Sequence, residues 1–269
     1  MSSLSGTELL EEAIEFQQDA ETRVLGHPAI PGVFKYRTRV SAINAGFVSE
    51  LGSRRFFEAA QRTSSMSYRF AKRGIDILLC SISLPILIPL FSIIALAVRL
   101  SSPGPIFYRE RRVGQGGKLF TILKFRSMYT KEHLRDVLGY HDCEESVLNR
   151  RFHQKREPDR RITRAGQFLR RSSLDELPQL LNVMRGDMSL IGPRPVVEAE
   201  LDRFGIYADY YRLALPGITG LWQVSGRNNV TYERRTRMDA AYCTGWNPQL
   251  DLKILLFTVP AVLRGKGAY

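Results

Sequence analysis

From Ile77 to Val98 the chain runs about twenty-two residues without a charge, and Pro85 and Pro89 fall inside that run. A stretch of this length can cross a bilayer as one straight helix. Each proline, however, removes a backbone hydrogen bond, a defect that lipid tolerates only where neighbouring groups repair it. The flanks are basic on both sides, with Arg69, Lys72 and Arg73 before the run and Arg99, Arg109, Arg111 and Arg112 after it. Both ends therefore prefer the cytoplasmic side. A helix that dips into the bilayer, breaks near the prolines and returns satisfies both constraints, and it would leave Lys72, Arg73 and Asp76 at headgroup depth. A straight transmembrane anchor is the competing reading.

The charge of the chain points the same way. All of the net +12 lies beyond residue 66. Basicity of that size suits anionic lipid headgroups, a diphosphate or nucleic acid. Nucleic acid is disfavoured, because the basic clusters adjoin an apolar segment and no DNA or RNA motif is present. Residues 1–22 hold six acids and no Lys or Arg, which excludes a secretory signal there. Apolar residues from Leu9 to Phe16 could stripe a short helix over residues 7–22, and His27 to Gly32 reads as linker. Cys80, Cys143 and Cys243 form no C-x-x-C and have no ligand spacing to the four histidines, so reduced thiols are expected and zinc is not.

The chemistry concentrates in Arg170-Arg171-Ser172-Ser173-Leu174-Asp175-Glu176-Leu177-Pro178-Gln179, followed by Gly186-Asp187 and by Gly192-Pro193-Arg194-Pro195. A carboxylate can attack phosphorus or hold Mg²⁺, and arginine forks match phosphate oxygens at two points. Ser173-x-x-Glu176 also satisfies a capping box, and a helix starting near Asp175 explains the acids structurally; Pro178 fits a first turn. Asp187 could equally cap the next turn. Gly114-Gln115-Gly116-Gly117-Lys118, between the strand-like runs Pro105–Tyr108 and Leu119–Phe125, reads as a hairpin turn rather than a phosphate loop, since no Gly-Lys-Ser/Thr follows. Lys131 to Glu157 is polar and is expected to be helical or mobile and exposed. Leu177, Leu180, Leu181 and Met184 keep helical spacing, and Leu250 to Phe257 is apolar but too short to cross a membrane, so it should lie on or against the bilayer.

Taken together, SSLDELPQLLNVMRGDMSLIGPRP, Lys72-Arg73-x-x-Asp76, Ser102-Pro103-Gly104-Pro105-Ile106-Phe107, Lys124-Phe125-Arg126-Ser127-Met128 and Pro216-Gly217-Ile218-Thr219-Gly220 resemble, in order, the motifs of the bacterial sugar transferase family, the monotopic polyprenyl-phosphate glycosyl-1-phosphate transferases. The resemblance covers residues 68–269. It implies transfer of a sugar 1-phosphate from a UDP-sugar to undecaprenyl phosphate, at the cytoplasmic face of the bacterial inner membrane and in contact with its lipid. It also implies Asp175 as nucleophile through an aspartyl-phosphosugar, Glu176 as ligand of a Mg²⁺ cofactor, and the re-entrant helix. Arg194 and Arg170, assisted by Lys124 or Arg126, are the candidates for phosphate oxygens. Trp222 to Asn228 either touches the nucleotide or sugar or is a structural turn. Galactose or glucose of an exopolysaccharide pathway is the sugar suggested by likeness; a homodimer or partner transferases stay open.

The expected fold is α+β, mostly α with a short β-hairpin, one re-entrant membrane helix and surface-lying amphipathic helices. The expected division is an N-terminal extension, partly disordered, over residues 1–66, the membrane helix over 67–100 and the cytoplasmic catalytic domain over 101–269.

Overall fold

The structure, a computed structural model, describes residues 50–130, 132–134, 161–225 and 230–263. The expected helix over residues 7–22, the linker after it and most of Lys131 to Glu157 lie outside the described residues. Helix α1 (Glu50–Ser64) is followed at once by α2 (Met66–Ser101). Strands β1 (Phe107–Val113) and β2 (Leu119–Phe125) form the expected hairpin, antiparallel from Phe107 opposite Phe125 to Val113 opposite Leu119, and the glycines between them make its turn. Then come α3 (Arg164–Arg171), a 3-10 turn (Leu174–Glu176), α4 (Gln179–Arg185), β3 (Ser189–Ile191), α5 (Glu198–Leu201), α6 (Ala208–Leu213), β4 (Gly217–Thr219), α7 (Leu221–Val224), α8 (Tyr232–Gly245) and α9 (Pro248–Leu263). The architecture is mostly helical. Strands β3 and β4 pair in parallel, a second small sheet that the sequence analysis did not anticipate; three residues per strand leave no periodicity to read.

Helix α2 organises the fold. Its expected interruption is absent: helical conformation continues through Pro85 and Pro89. One stripe of the helix packs on the rest of the protein along its whole length. Tyr68 lies against Trp246, Cys80 with Leu84 and Leu87 against Ile122, Val183 and Met188, and Ile94 and Val98 against Phe125 and Leu169. The opposite face stays exposed and apolar, with Leu78, Ile82, Ile86, Ile93 and Leu96 all more than half exposed. Both prolines stand on that outer face. A proline ring clashes with the carbonyl four residues earlier, so prolines on the outer side favour bending toward the body, which suits a helix of roughly 54 Å whose inner stripe is covered throughout.

Lys72 and Asp76 correct the expectation of charges at headgroup depth. Lys72 is buried and donates to the Ile191 carbonyl at 2.8 Å, to Tyr242 Oη at 3.0 Å and to Asp251 Oδ2 at 2.6 Å. Asp76, also buried, accepts from Ser189 Oγ at 3.1 Å and from the Leu190 amide at 3.0 Å. Arg73 donates to the Val183 and Met184 carbonyls at the end of α4. A buried charge must be paired or moved to water, and here the partners are strand β3, helix α9 and the end of α4. The motif before the apolar run therefore fastens the first half of α2 to the rest of the protein.

The last described part of the extension also belongs to that body. Phe56 meets Tyr210 edge to face with centroids 5.1 Å apart, Ala59 is 1% exposed, and Arg62 donates to the Thr244 carbonyl at 3.1 Å. At the other end, α9 buries Asp251 and Ile254 and exposes Leu252, Leu256 and Val259, which share one face by their spacing.

Candidate active site

The acidic pair sits on the 3-10 turn between α3 and α4. Helix α3 is capped at its start by Thr163, whose side chain accepts from the Gly166 amide at 2.9 Å, and ends at Arg171. Ser173 then adopts φ +58°, which among the described residues no other non-glycine shares with a positive value. A left-handed residue is costly for a side chain with a Cβ, and here it turns the chain directly before the carboxylates. The capping box is not formed: Ser173 makes no side-chain cap, and the α-helix proper begins at Gln179, behind Pro178. Glu176 is thereby released for another partner.

That partner is Lys124 on β2, whose Nζ lies 2.6 Å from Glu176 Oε1, with Arg194 Nη2 at 3.4 Å from the same oxygen. Asn182 sets the spacing. Fully buried on α4, it accepts from the Leu123 amide at 3.0 Å and donates to the Thr121 carbonyl at 2.8 Å, acting as a short strand partner for β2. Asp187 is drawn into the same joint, accepting from Asn182 Nδ2 at 3.3 Å.

Asp175 is 9% exposed, and among the described residues its carboxylate takes no hydrogen bond or ion pair. Burial first, then the neighbouring Glu176 charge, push its pKa up to about 6; Lys124, Arg170 and Arg194 pull the other way. A carboxylate with a raised pKa and no partner is a better nucleophile than one tied into ion pairs, and it is still largely ionised near pH 7.

Arg194 rides on a loop that close backbone packing holds in place. A Cβ on Gly192 would stand 2.3 Å from the Leu215 carbonyl oxygen, and one on Gly217 would stand 2.1 Å from the Gly192 nitrogen. Only glycines allow the two segments to meet, and the meeting is secured by Gly192 N–H to the Thr219 carbonyl at 2.9 Å and Gly217 N–H to the Pro193 carbonyl at 2.8 Å. The glycines of the two motifs therefore serve one joint.

Of the candidates from the sequence, Asp175, Glu176, Lys124, Arg170 and Arg194 gather at one place, and a small cleft beside them is lined by Lys124, Glu176, Gln179, Arg194 and Arg112. Arg126 does not join them. It is buried, and its guanidinium donates to the carbonyls of Pro105 at 2.5 Å, Val98 at 3.2 Å and Ser102 at 2.6 Å, closing the end of α2. Pro85 and Pro89 are on the outer face of α2, away from this cleft. Trp222 is a core residue under the Arg235 guanidinium, 4.7 Å from its ring centroid, while Gly226 to Asn228 lie outside the described residues. Arg112 and Gln179 were missed. Once the hairpin register is drawn, Arg112 falls on the same face as Lys124, because Lys124 pairs with Tyr108 and side chains alternate along the strand.

The bacterial sugar transferase family model matches residues 67–265. Over 90% of its length the chain is 43% identical to the UDP-galactose-lipid carrier transferase of Erwinia amylovora and to the undecaprenyl-phosphate galactose phosphotransferase of Salmonella typhimurium, covering 49% of each. It thus spans about half the length of those curated relatives. Over 74% of its length it is 44% identical to the exopolysaccharide production protein ExoY of Rhizobium meliloti, covering 88% of that protein.

Proposed function

The chain belongs to the bacterial sugar transferase family, and from that premise we propose that it transfers a sugar 1-phosphate from a UDP-sugar to undecaprenyl phosphate, releasing UMP. The observation that carries the reading is Asp175, buried and without a partner among the described residues, beside a Glu176 held by Lys124 and Arg194. A carboxylate oxygen of Asp175 attacks the sugar-linked phosphorus; the bond to the bridging oxygen breaks and UMP leaves with that oxygen. An oxygen of the lipid phosphate then attacks the same phosphorus, and Asp175 departs as a carboxylate. Two displacements at one aspartate let two substrates that never meet share a single site. Arg194, Arg170 and Lys124 meet the phosphate oxygens, and their charges keep Asp175 ionised as it works.

The donor set bears on Mg²⁺. No group of three or more His, Cys, Asp or Glu suited to a metal occurs among the described residues. Mg²⁺ takes one or two carboxylates and completes its shell with water and substrate phosphates, so the acidic pair fits it. Glu176 is the residue to hold it, sharing its carboxylate with Lys124. When bound, the ion neutralises charge on the diphosphate and its leaving group.

The membrane disposition follows from α2, the one helix among the described residues long and apolar enough to cross a bilayer. Its start is fastened to β3 by Asp76 and its end to Arg126 on the β2 side, so both ends belong to one body. That supports a helix embedded by its outer face, with both ends on the cytoplasmic side of the inner membrane, and the exposed row of α9 lying in the same surface. Leu174 and Leu177, on either side of the acidic pair, pack against α2 near Phe91 and Ile94. That contact favours a site which a lipid phosphate could reach along α2.

The test is UMP release by purified protein in lipid, with a panel of UDP-sugars including galactose and glucose, Mg²⁺ and undecaprenyl phosphate. Release with one sugar, and trapping of a labelled phosphosugar on the protein without lipid, is the expected result. Absence of both with every sugar would sink the reading.

A further inference from the structure

We propose that Arg112 is a positioning residue for the transfer, acting through Arg194. The inference rests on the transferase reading above and adds a residue to it. Arg112 lines the same cleft as Lys124, Glu176 and Arg194, yet its guanidinium is already committed. Nη1 donates to the Pro195 carbonyl at 3.1 Å, the residue directly after Arg194, and Nη2 is paired with Glu110. The side chain is only 14% exposed and its Nε is buried. With both ends of the fork in use, it is placed to hold the loop rather than to take up a phosphate.

The backbone repeats the connection. Val113 N–H donates to the Val196 carbonyl at 2.9 Å, and Tyr211 Oη donates to the Val113 carbonyl at 2.7 Å while lying 3.3 Å from the Val196 amide, from which it accepts. The far end of β1 is thus zipped to the segment that follows Arg194, while β2 presents Lys124 at the near end of the same hairpin face. Arg112 stands four positions along the strand from Tyr108, the partner of Lys124, or roughly 13 Å away. One rigid hairpin therefore carries Lys124 at one end and the brace for Arg194 at the other, and Glu176 receives both cations between them. Without Arg112, Pro195 keeps its ring but loses the donor that fixes its carbonyl, and the Arg194 fork is free to swing from Glu176 and from the diphosphate.

A double-mutant cycle separates this from a general electrostatic or structural role. Arg112→Ala, Arg194→Ala and the double variant are compared with wild type for kcat and KM in the UMP-release assay, with membrane binding and thermal unfolding in detergent as controls. Arg112→Ala should lower kcat/KM at least tenfold, and the double variant should be within about twofold of Arg194→Ala alone. Arg112→Lys, whose single ammonium cannot reproduce the fork between Pro195 and Glu110, should recover only part of the loss. Multiplying effects in the double variant, or full activity in Arg112→Ala, would overturn the proposal. If Arg112→Ala does not fold, Glu110→Gln supplies the second cycle: it weakens the hold on Arg112 without removing it, and its smaller loss should likewise vanish in the Arg194→Ala background, independence there counting against the proposal. A wild-type protein that turns over no UDP-sugar would instead count against the transferase reading itself.

Discussion

Lys124 and Glu176, 52 residues apart in the chain, meet at 2.6 Å and join the β-hairpin to the turn bearing the acidic pair. The ion pair occupies Glu176, while Asp175 has no partner among the described residues, so the two adjacent acids are made chemically unlike by what reaches them.

Asp175→Asn should abolish turnover, whereas Glu176→Gln should retain weak activity that rises with added Mg²⁺ and is lost with a chelator. Steady-state UMP release checks both. An Asp175→Asn protein with a tenth or more of the wild-type rate, a barrier change of only about 1.4 kcal/mol, would remove Asp175 from the nucleophile's role.

Activity and stability should respond to pH in opposite senses at Asp175. The rate should fall as pH drops through about 6, where the carboxylate gains its proton. Because the folded-state pKa is raised, the stabilising contribution of the group is fully present below about 4 and is lost as pH rises through about 6. Asp175→Asn should therefore match wild type in Tm near pH 4 and exceed it by roughly a few degrees at pH 8. Asp239, 1% exposed with an unpaired Oδ2 and a pKa pushed up to about 7 by burial, should show the same gain in Asp239→Asn, with the gap still widening between pH 6 and 7. Thermal unfolding across pH reads both.

Arg194→Lys should be strongly impaired while remaining folded and membrane-bound. Lysine keeps the charge but loses the fork. A near-normal kcat/KM in this variant would show that charge alone suffices.

Arg126→Ala should act on stability. Removing the guanidinium strands three carbonyls at the junction of α2 and the hairpin, and the loss should be about 2–4 kcal/mol in denaturant unfolding in detergent. Gly104→Ala should do part of the same damage, since a Cβ there would lie 2.5 Å from Arg126 Nη1. Unchanged stability in both would mean that the clamp is dispensable.

Ser65→Cys and Gly265→Cys, placed singly in a protein lacking the native cysteines, should both resist an impermeant thiol reagent outside spheroplasts and react after lysis. Labelling of either site in intact spheroplasts would establish a crossing helix. Replacing Pro85 and Pro89 together by Ala restores backbone hydrogen bonds and tests how far the prolines, rather than Lys72, Asp76 and Arg126, keep α2 on the body.

Residue type and order carried much of the site. That the acidic pair, Lys124, Arg170 and Arg194 come together was legible in their motifs, and the hairpin was legible because no Gly-Lys-Ser/Thr follows its glycines. The roles of Lys72, Asp76 and Arg126 were not, since a charged residue beside an apolar run looks the same whether it faces headgroups or a buried carbonyl; only the long-range partners Ile191, Asp251 and Pro105 decide. Arg112 was hidden for a related reason. It stands among exposed arginines on β1, and its distinction lies in the strand register and in a carbonyl 83 residues away.

Helix α2 answers to two solvents at once, and its positions should therefore diverge at two speeds. At Cys80 and Val98, which have no exposed surface, a change of one methylene is felt by close-packed neighbours, so substitutions there should be few and nearly equal in volume. At Ile82, Ile86 and Ile93 the neighbour would be fluid hydrocarbon, which asks only that a side chain be apolar and takes no account of its shape. A saturation library across Ile77–Val98, scored by the UMP-release assay, should return an alternating record of tolerance with the period of a helix, strict on one side and permissive on the other, straight through both prolines.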